Sequence, residues 1–144
     1  MHQLTNQTHR NLFYLQKPEI NVIATIDTND KLNAFCRSLY DTSISFRETA
    51  FALFFIDDEC VGVMKAGEGG REKVALDFFS ILKTAILLNS GNVIFCHNHP
   101  SGNLIESFSD KRSSSALRKM LKTVYITLSS SIILSGKNND FIVI

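Results

Sequence analysis

The stretch LLNSGNVIFCHNHPSGN (residues 87–103) holds the end of an apolar helical pattern, a short aliphatic and aromatic run, and a Pro-Ser-Gly turn. The run NVIFCH has the length and composition of a buried strand. Two histidines, His97 and His99, lie where this strand passes into the loop. Because side chains alternate between the two faces of an extended chain, both imidazoles point the same way, about 7 Å apart at the backbone. Cys96 and Asn98 point to the opposite face.

The His-x-His spacing has two interpretations. Two imidazoles on one face can bind one metal ion at about 2.1 Å each, but they can also be a polar exit from a sheet. A catalytic zinc ion needs a third protein ligand and an open position for water. Asp110 is the leading candidate for that ligand, and Glu106 is the second. Ser107 and Asp110 also form a Ser-x-x-Asp helix start, in which the two residues cap the helix reciprocally.

The hydrophobic pattern along the rest of the chain predicts alternating strands and helices. The predicted strands are residues 20–25, 49–57, 60–66, 92–97, 124–134 and 141–144, and the predicted helices are residues 29–40, 73–88 and 107–123. Residues 67–72 are predicted to be a loop. The nearly continuous apolar run at residues 49–57 is typical of a central strand buried on both faces. This order predicts an α/β domain with a mixed central sheet flanked by helices, and sites in such sheets gather at the carboxyl ends of strands.

Composition limits the classes of function. A chain of 144 residues with 44% apolar residues fits one domain, predicted at residues 19–144 after a flexible N-terminal arm at residues 1–18. The formal net charge of +1 gives no general basic field for nucleic acid. Three widely spaced cysteines without a CxxC motif indicate a reducing compartment. No apolar signal core or bilayer-length apolar run is present, so the expected location is the cytoplasm and no membrane partner is expected.

At these residues the chain resembles a known family. His97-x-His99, seven further residues and then Ser107-x-x-Asp110 look like the JAMM metalloprotease signature of JAB/MPN domains. The longer stretch at residues 87–103 resembles the RadC family of bacterial JAB-type proteins. The resemblance covers residues 19–144 and implies a single JAB/MPN domain with the layering of a cytidine deaminase. It also implies one Zn²⁺ per chain, bound by His97, His99, Asp110 and a water molecule.

The resemblance further implies roles for two other residues. Glu48, at the entry to the first long strand, matches the family glutamate that acts as general base on the zinc-bound water. Ser107 matches the serine that stabilises the oxyanion. Glu68, in the predicted Gly-rich loop, fits a family loop that flanks the site. The implied activity is that of a zinc-dependent peptidase or isopeptidase acting on a protein or peptide, since zinc lowers the pKa of water and a carboxylate can then move the proton.

Some positions depart from the RadC pattern. RadC proteins usually carry a helix-hairpin-helix DNA-binding region, and this sequence does not contain one. Ser130 and Ser131 occupy the place of the family's Asp-His pair, although Ser129 to Ser131 can also be read as the polar edge of a strand. Glu106 replaces the proline before the motif serine. These departures affect the substrate side of the cleft and any link to DNA, and none affects the three expected ligands.

Two alternative functions remain open on the sequence. One is a DNA-associated protein linked to DNA repair, which would use the basic cluster of the last helix; that cluster is also typical of a solvated helix face. Its members are Lys111, Arg112, Arg118, Lys119 and Lys122. The other is a non-catalytic metal-binding scaffold. A nucleobase deaminase is excluded because His-x-Glu and Pro-Cys-x-x-Cys do not occur. The sequence does not indicate an oligomeric state.

Overall fold

The computed structural model describes residues 20–69 and 74–144, and the predicted arm at residues 1–18 lies outside them. The described residues alternate between strands and helices. The strands are β1 (Ala24–Thr25), β2 (Thr49–Ile56), β3 (Glu59–Gly69), β4 (Val74–Leu76), β5 (Asn92–His99), β6 (Thr127–Ser135) and β7 (Phe141–Val143). The helices are α1 (Asn29–Ser38), α2 (Phe78–Leu87) and α3 (Phe108–Lys122), with a short 3₁₀ helix at Thr42–Ser45.

The strands form one mixed sheet in the order β1-β3-β2-β5-β6-β7, and β4 pairs with β3. The predicted central strand is β2, which pairs antiparallel with β3 on one side and with β5 on the other. β5 and β6 are parallel, and α3 is the crossover between them. The sheet and its helices confirm the predicted α/β fold class.

Helices cover both faces of the sheet and create two cores. On one face, α2 and α3 bury side chains against β2, β3, β5 and β6; this core includes Phe54, Ile81, Ala85, Leu117 and Leu121. On the other face, α1 packs through Leu32 and Cys36 against Leu53, Cys96, Ile132 and Leu134. Full burial of a large aliphatic or aromatic side chain contributes about 1.5–3 kcal/mol, so the two cores hold the sheet between its helices. All three cysteines are buried and unpaired.

The largest error of sequence prediction is the helix expected at residues 73–88. Residues 74–76 are instead strand β4, and the helix begins at Phe78 with Asp77 as its N-cap. The backbone of β4 pairs antiparallel with β3, where Gly67 lies opposite Leu76. The predicted loop is wrong at residues 67–69 for the same reason, because β3 continues to Gly69, and its residues 70–72 lie outside the described part of the chain. Pairing between strands outweighed the helical spacing of the apolar residues.

The other differences lie at the ends of elements. The first strand is two residues rather than six. β5 is two residues longer than predicted, because Asn98 and His99 pair with Leu134 and Ser135 of β6. β6 begins at Thr127 rather than residue 124, since the chain turns after α3 with Tyr125 at a φ of 60°.

Within the described residues, no helix combines the length and the hydropathy needed to cross a membrane.

Candidate metal centre

The two histidines lie at the end of β5, on the face of the sheet that α2 and α3 cover. Both side chains are buried, with 4% of His97 and 8% of His99 exposed to solvent. The alternation of a strand places them side by side with ring centroids 4.9 Å apart. The ring of Phe95, two residues earlier, lies 5.7 Å from the ring of His97 on the same face. The predicted common direction of the two imidazoles is therefore the one observed.

The turn after β5 fixes the ring of His99. Gly102 donates its N–H to the carbonyl of His99 and has a φ of 81°, a conformation that residues with a Cβ rarely adopt. This turn brings the carbonyl of Asn103 to Nδ1 of His99. A carbonyl oxygen only accepts hydrogen bonds, so Nδ1 carries a proton and donates it. A neutral His99 then has its lone pair on Nε2, which faces the centre of the cluster.

Asp110 reaches the cluster from the first turn of α3. Its Oδ2 lies 3.2 Å from Nε2 of His99, and its Oδ1 lies 3.9 Å from Nδ1 of His97. The same residue closes a capping box, since Ser107 donates its N–H to Oδ2 of Asp110 and accepts the N–H of Asp110 on Oγ. The capping and ligand interpretations therefore hold together. The cap fixes the helix start that carries the carboxylate toward the histidines.

Electrostatics within the cluster favour a cation between the side chains. The hydrogen bond with Asp110 is the largest cause of a pKa above 6.5 for His99. Burial would raise the pKa of Asp110, but the hydrogen bond with His99 and the charge on His97 outweigh it, so the pKa of Asp110 is well below its usual value. Burial lowers the pKa of His97 to about 4, which leaves this imidazole neutral and able to ligate a metal at neutral pH.

Glu48 faces the same cluster from the position directly before the neighbouring strand β2. Ala50 of β2 pairs with His97, so the residue two positions earlier lies on the same face and opposite His99. Oε1 of Glu48 is 3.9 Å from Nε2 of His99, and the side chain is 17% exposed. Burial raises the pKa of Glu48, with the charge on His99 acting against this and that of Asp110 adding to it. The structure thus places Glu48 beside the three candidate ligands.

Asn98, between the two histidines, is a supporting residue that sequence prediction missed. Its side chain is fully buried on the opposite face of the sheet. Its Oδ1 accepts the N–H of Thr49, and its Nδ2 donates to the carbonyls of Ile44 and Arg47, each at 2.8 Å. Three backbone groups of the segment that carries Glu48 are therefore held by one amide. The available signal was the prediction that Asn98 points to the face opposite the histidines, but its partners lie about fifty residues away in the sequence.

The cluster opens into a cleft of about 620 Å³. Glu48, Asp110 and both histidines line it, and Ser107 lies on its wall at the N-cap of α3. The Oγ of Ser107 accepts the backbone N–H of Asp110, and among the residues that the structure describes no acceptor takes its own hydroxyl proton. The volume is within the range of pockets that enclose small ligands or peptide side chains.

Other residues considered from the sequence lie away from the cleft. Glu68 belongs to β3, where its carboxylate binds Lys65 at 2.9 Å and Arg47 at 3.4 Å at the surface. Glu106 is half-buried but does not join the cluster of ligand atoms. Ser131 is buried rather than part of a polar strand edge, and its Oγ has no hydrogen-bond partner among the described residues.

A divalent metal ion fits the cluster on the chemistry of its donors. Ligand atoms of His97, His99 and Asp110 lie within 4.8 Å of one another. Ligands around a tetrahedral zinc ion, at about 2.0–2.1 Å from the metal, are roughly 3.3 Å apart, close to the 3.2 Å between Nε2 of His99 and Oδ2 of Asp110. Because Nδ1 of His99 donates its proton to a carbonyl, Nε2 of a neutral His99 and Oδ2 of Asp110 are both acceptors. A proton or a metal ion is therefore needed between these two atoms. The triad is therefore a candidate metal-binding site.

Comparison with known proteins identifies relatives of this chain. A family model described as a RadC-like JAB domain matches residues 26–142. A UPF0758 protein of Pseudomonas fluorescens (strain SBW25) is 29% identical over 85 residues, covering 58% of this chain and 38% of that protein. A UPF0758 protein of Vibrio cholerae serotype O1 (strain ATCC 39315 / El Tor Inaba N16961) is 26% identical over 98 residues, covering 67% of this chain and 62% of that protein. The matched segment thus spans less than two thirds of either relative.

Proposed function

This chain belongs to the family of RadC-like JAB domains, and from that premise we propose that it is a zinc-dependent hydrolase of peptide or isopeptide bonds. One observation carries the proposal. Glu48, which directly precedes β2, faces the buried triad of His97, His99 and Asp110 inside an open cleft. Two imidazoles, one carboxylate and a position left open are the donor set of a catalytic zinc site. A nearby carboxylate that is not itself required as a ligand supplies the acid–base group that hydrolysis needs.

The residues have separate roles in this proposal. His97, His99 and Asp110 would hold one zinc ion per chain. When bound, the ion would lower the pKa of a water molecule toward about 7 and polarise the scissile carbonyl. Glu48 would accept the proton from that water and return it to the leaving amine, a transfer that its raised pKa favours. Ser107 would donate its free hydroxyl proton to the oxyanion that forms on the carbonyl.

The proposal is tested by metal content and by turnover of the same variants. Plasma mass spectrometry should find about one zinc per purified or reconstituted chain, and the double variant His97→Ala/His99→Ala should lose it. Glu48→Gln should keep the zinc and lower kcat on a cleaved peptide by roughly 10²–10⁴. Glu68→Gln is the matched control, because that carboxylate binds Lys65 at the surface, and it should leave turnover unchanged.

Two outcomes would contradict the proposal. Failure to bind zinc after reconstitution would remove the hydrolase mechanism and favour a non-catalytic scaffold. Turnover that survives both a chelator and Glu48→Gln would assign the activity to a contaminant or to another site. A scaffold also predicts partner binding that does not change on chelation.

DNA association is a second proposal, favoured by the charge on α3. Five cationic side chains on its exposed residues form no ion pair within the described part of the chain. They are Lys111, Arg112, Arg118, Lys119 and Lys122. If they contact phosphates, binding should weaken with salt, and neutralising Arg118 and Lys119 should reduce the slope of log K against log salt by roughly two. Binding that does not depend on salt would contradict this proposal.

A further inference from the structure

The walls of the cleft carry little charge apart from the candidate metal centre. The charged or titratable side chains that line it are Glu48, His97, His99 and Asp110. Among the residues that the structure describes, no lysine or arginine lines the cleft. With a divalent cation bound, the two carboxylates would bring the formal charge of the site to zero. The cleft therefore offers no side-chain cation to a phosphate or to a terminal carboxylate.

Two exposed apolar side chains stand at the mouth of the cleft. Phe46 is 66% exposed and Ile105 is 76% exposed, and both line the cleft. Phe46 lies two residues before Glu48, at the end of the 3₁₀ helix. Ile105 lies two residues before Ser107, in the loop that leads to α3. Each of the two proposed catalytic groups outside the metal triad thus has an exposed apolar residue next to it in the chain.

The interior of the cleft continues this apolar character. Phe95 and Leu76 also line it, and the ring of Phe95 lies 5.7 Å from the ring of His97. The remaining lining residues are mostly serines and one asparagine, which can donate and accept hydrogen bonds without carrying charge. They are Ser45, Ser101, Ser107, Ser109, Ser113 and Asn103. Uncharged polar groups between apolar walls suit a peptide backbone with an apolar side chain.

We infer that the cleft takes a peptide with a large apolar side chain next to the bond to be cleaved, held between Phe46 and Ile105. The inference rests on the proposed hydrolase function and names the class of its substrate. A side chain held at both residues would be close to Glu48 and Ser107, because each apolar residue is separated from its neighbouring polar residue by one position. Burial of that side chain against exposed Phe46 and Ile105 provides the binding free energy.

The inference is tested by turnover and by binding. Internally quenched peptides that differ at one position, carrying Leu, Phe, Ser, Asp or Lys, are given to the zinc-loaded protein, and kcat/KM is compared. The same peptides, labelled for fluorescence anisotropy, are titrated onto zinc-loaded Glu48→Gln, which binds without turnover. The apolar peptides should be favoured by about tenfold or more in both assays, the scale on which a hydrophobic pocket discriminates.

Variants at the mouth of the cleft supply the controls. Phe46→Ala and Ile105→Ser should each reduce the preference for apolar peptides severalfold, and both positions are exposed enough for the fold to survive the change. Phe79→Ala removes a similarly exposed ring, 74% accessible, from α2 outside the cleft. This variant should leave the preference unchanged.

The outcomes separate this inference from the proposed function. Turnover without an apolar preference, or with a preference that both mouth variants leave intact, overturns the inference and spares the hydrolase. Selective binding that depends on Phe46, without any turnover by the zinc-loaded wild type, supports the apolar site and overturns the hydrolase. Neither binding nor turnover of any peptide overturns both.

Discussion

Replacing Asn98 with alanine should destabilise the protein and disturb the segment that carries Glu48. The fully buried amide makes three hydrogen bonds at 2.8 Å, with the N–H of Thr49 and the carbonyls of Ile44 and Arg47. At about 1 kcal/mol net for each bond, Asn98→Ala should lower the free energy of unfolding by about 3 kcal/mol. This is a large share of the roughly 5–15 kcal/mol that stabilises a domain.

Urea denaturation measures this loss directly. With a slope of about 2 kcal/mol per molar urea, the midpoint should fall by about 1.5 M. Asn98→Asp, which keeps the shape of the side chain, should be at least as harmful, because its carboxylate would face the carbonyls of Ile44 and Arg47. Asn139→Ala changes an exposed asparagine and should stay within about 0.5 kcal/mol of the wild type.

Activity gives an independent readout of the same variant. Zinc content should be kept in Asn98→Ala, since the histidines and Asp110 remain, while kcat should fall as Glu48 loses its fixed position. A loss of stability below about 1 kcal/mol, or an isosteric Asn98→Asp as stable as the wild type, would refute the reasoning that these hydrogen bonds hold the segment.

Three other features lead to measurable expectations. In the metal-free protein, the stability contribution of His97 should rise with pH from about 4 to 6.5, because folded His97 binds its proton less readily than unfolded His97, and the raised pKa of Glu48 opposes part of this rise. The pKa of folded His99 is above 6.5, so its stabilising contribution is present below 6.5 and lost as the pH rises through that higher pKa. Thermal unfolding in a chelating buffer should therefore give the highest Tm near pH 6.5, and a Tm that keeps rising into alkaline pH contradicts this. Ser107→Ala removes the N-cap of α3 and should lower the free energy of unfolding in urea by about 1 kcal/mol. Ser107→Thr keeps a capping hydroxyl and should retain most of that stability. Equal stability of the Ala and Thr variants would argue against the cap. Gly136→Ala would place a Cβ 2.6 Å from the Cα of Pro100 and should cost about 1–3 kcal/mol, so an unchanged urea midpoint would show that the loop moves freely.

The central strands and the metal-ligand set could be predicted because their signals are local. Apolar runs predicted β2 and β5, and the alternation of side chains along a strand predicted that His97 and His99 lie on one face. The spacing from Ser107 to Asp110 is one helical turn, which is why one motif predicted both the cap and the position of a ligand.

Residues 67–69 and 74–76 could not be predicted in the same way. The Gly-rich stretch at residues 67–72 suggested a loop, and the helical spacing of the apolar residues after it suggested a helix, whereas β3 extends to Gly69 and pairs with β4. The backbone partner that decides between helix and strand is supplied by another part of the chain, and it does not appear in the local pattern. Similarly, the two extra residues of β5 depend on pairing with β6.

The sequence alone determined that this protein has an α/β sheet ending in two aligned histidines, with a capped helix start carrying a carboxylate. It pointed to Glu48 only through resemblance to a family. The tertiary structure decided that Glu48 faces the cluster, because the antiparallel register pairs Ala50 with His97. A shift of one residue in that register would turn Glu48 to the other face of the sheet, and that register is set by pairing between two strands that are not neighbours in the sequence.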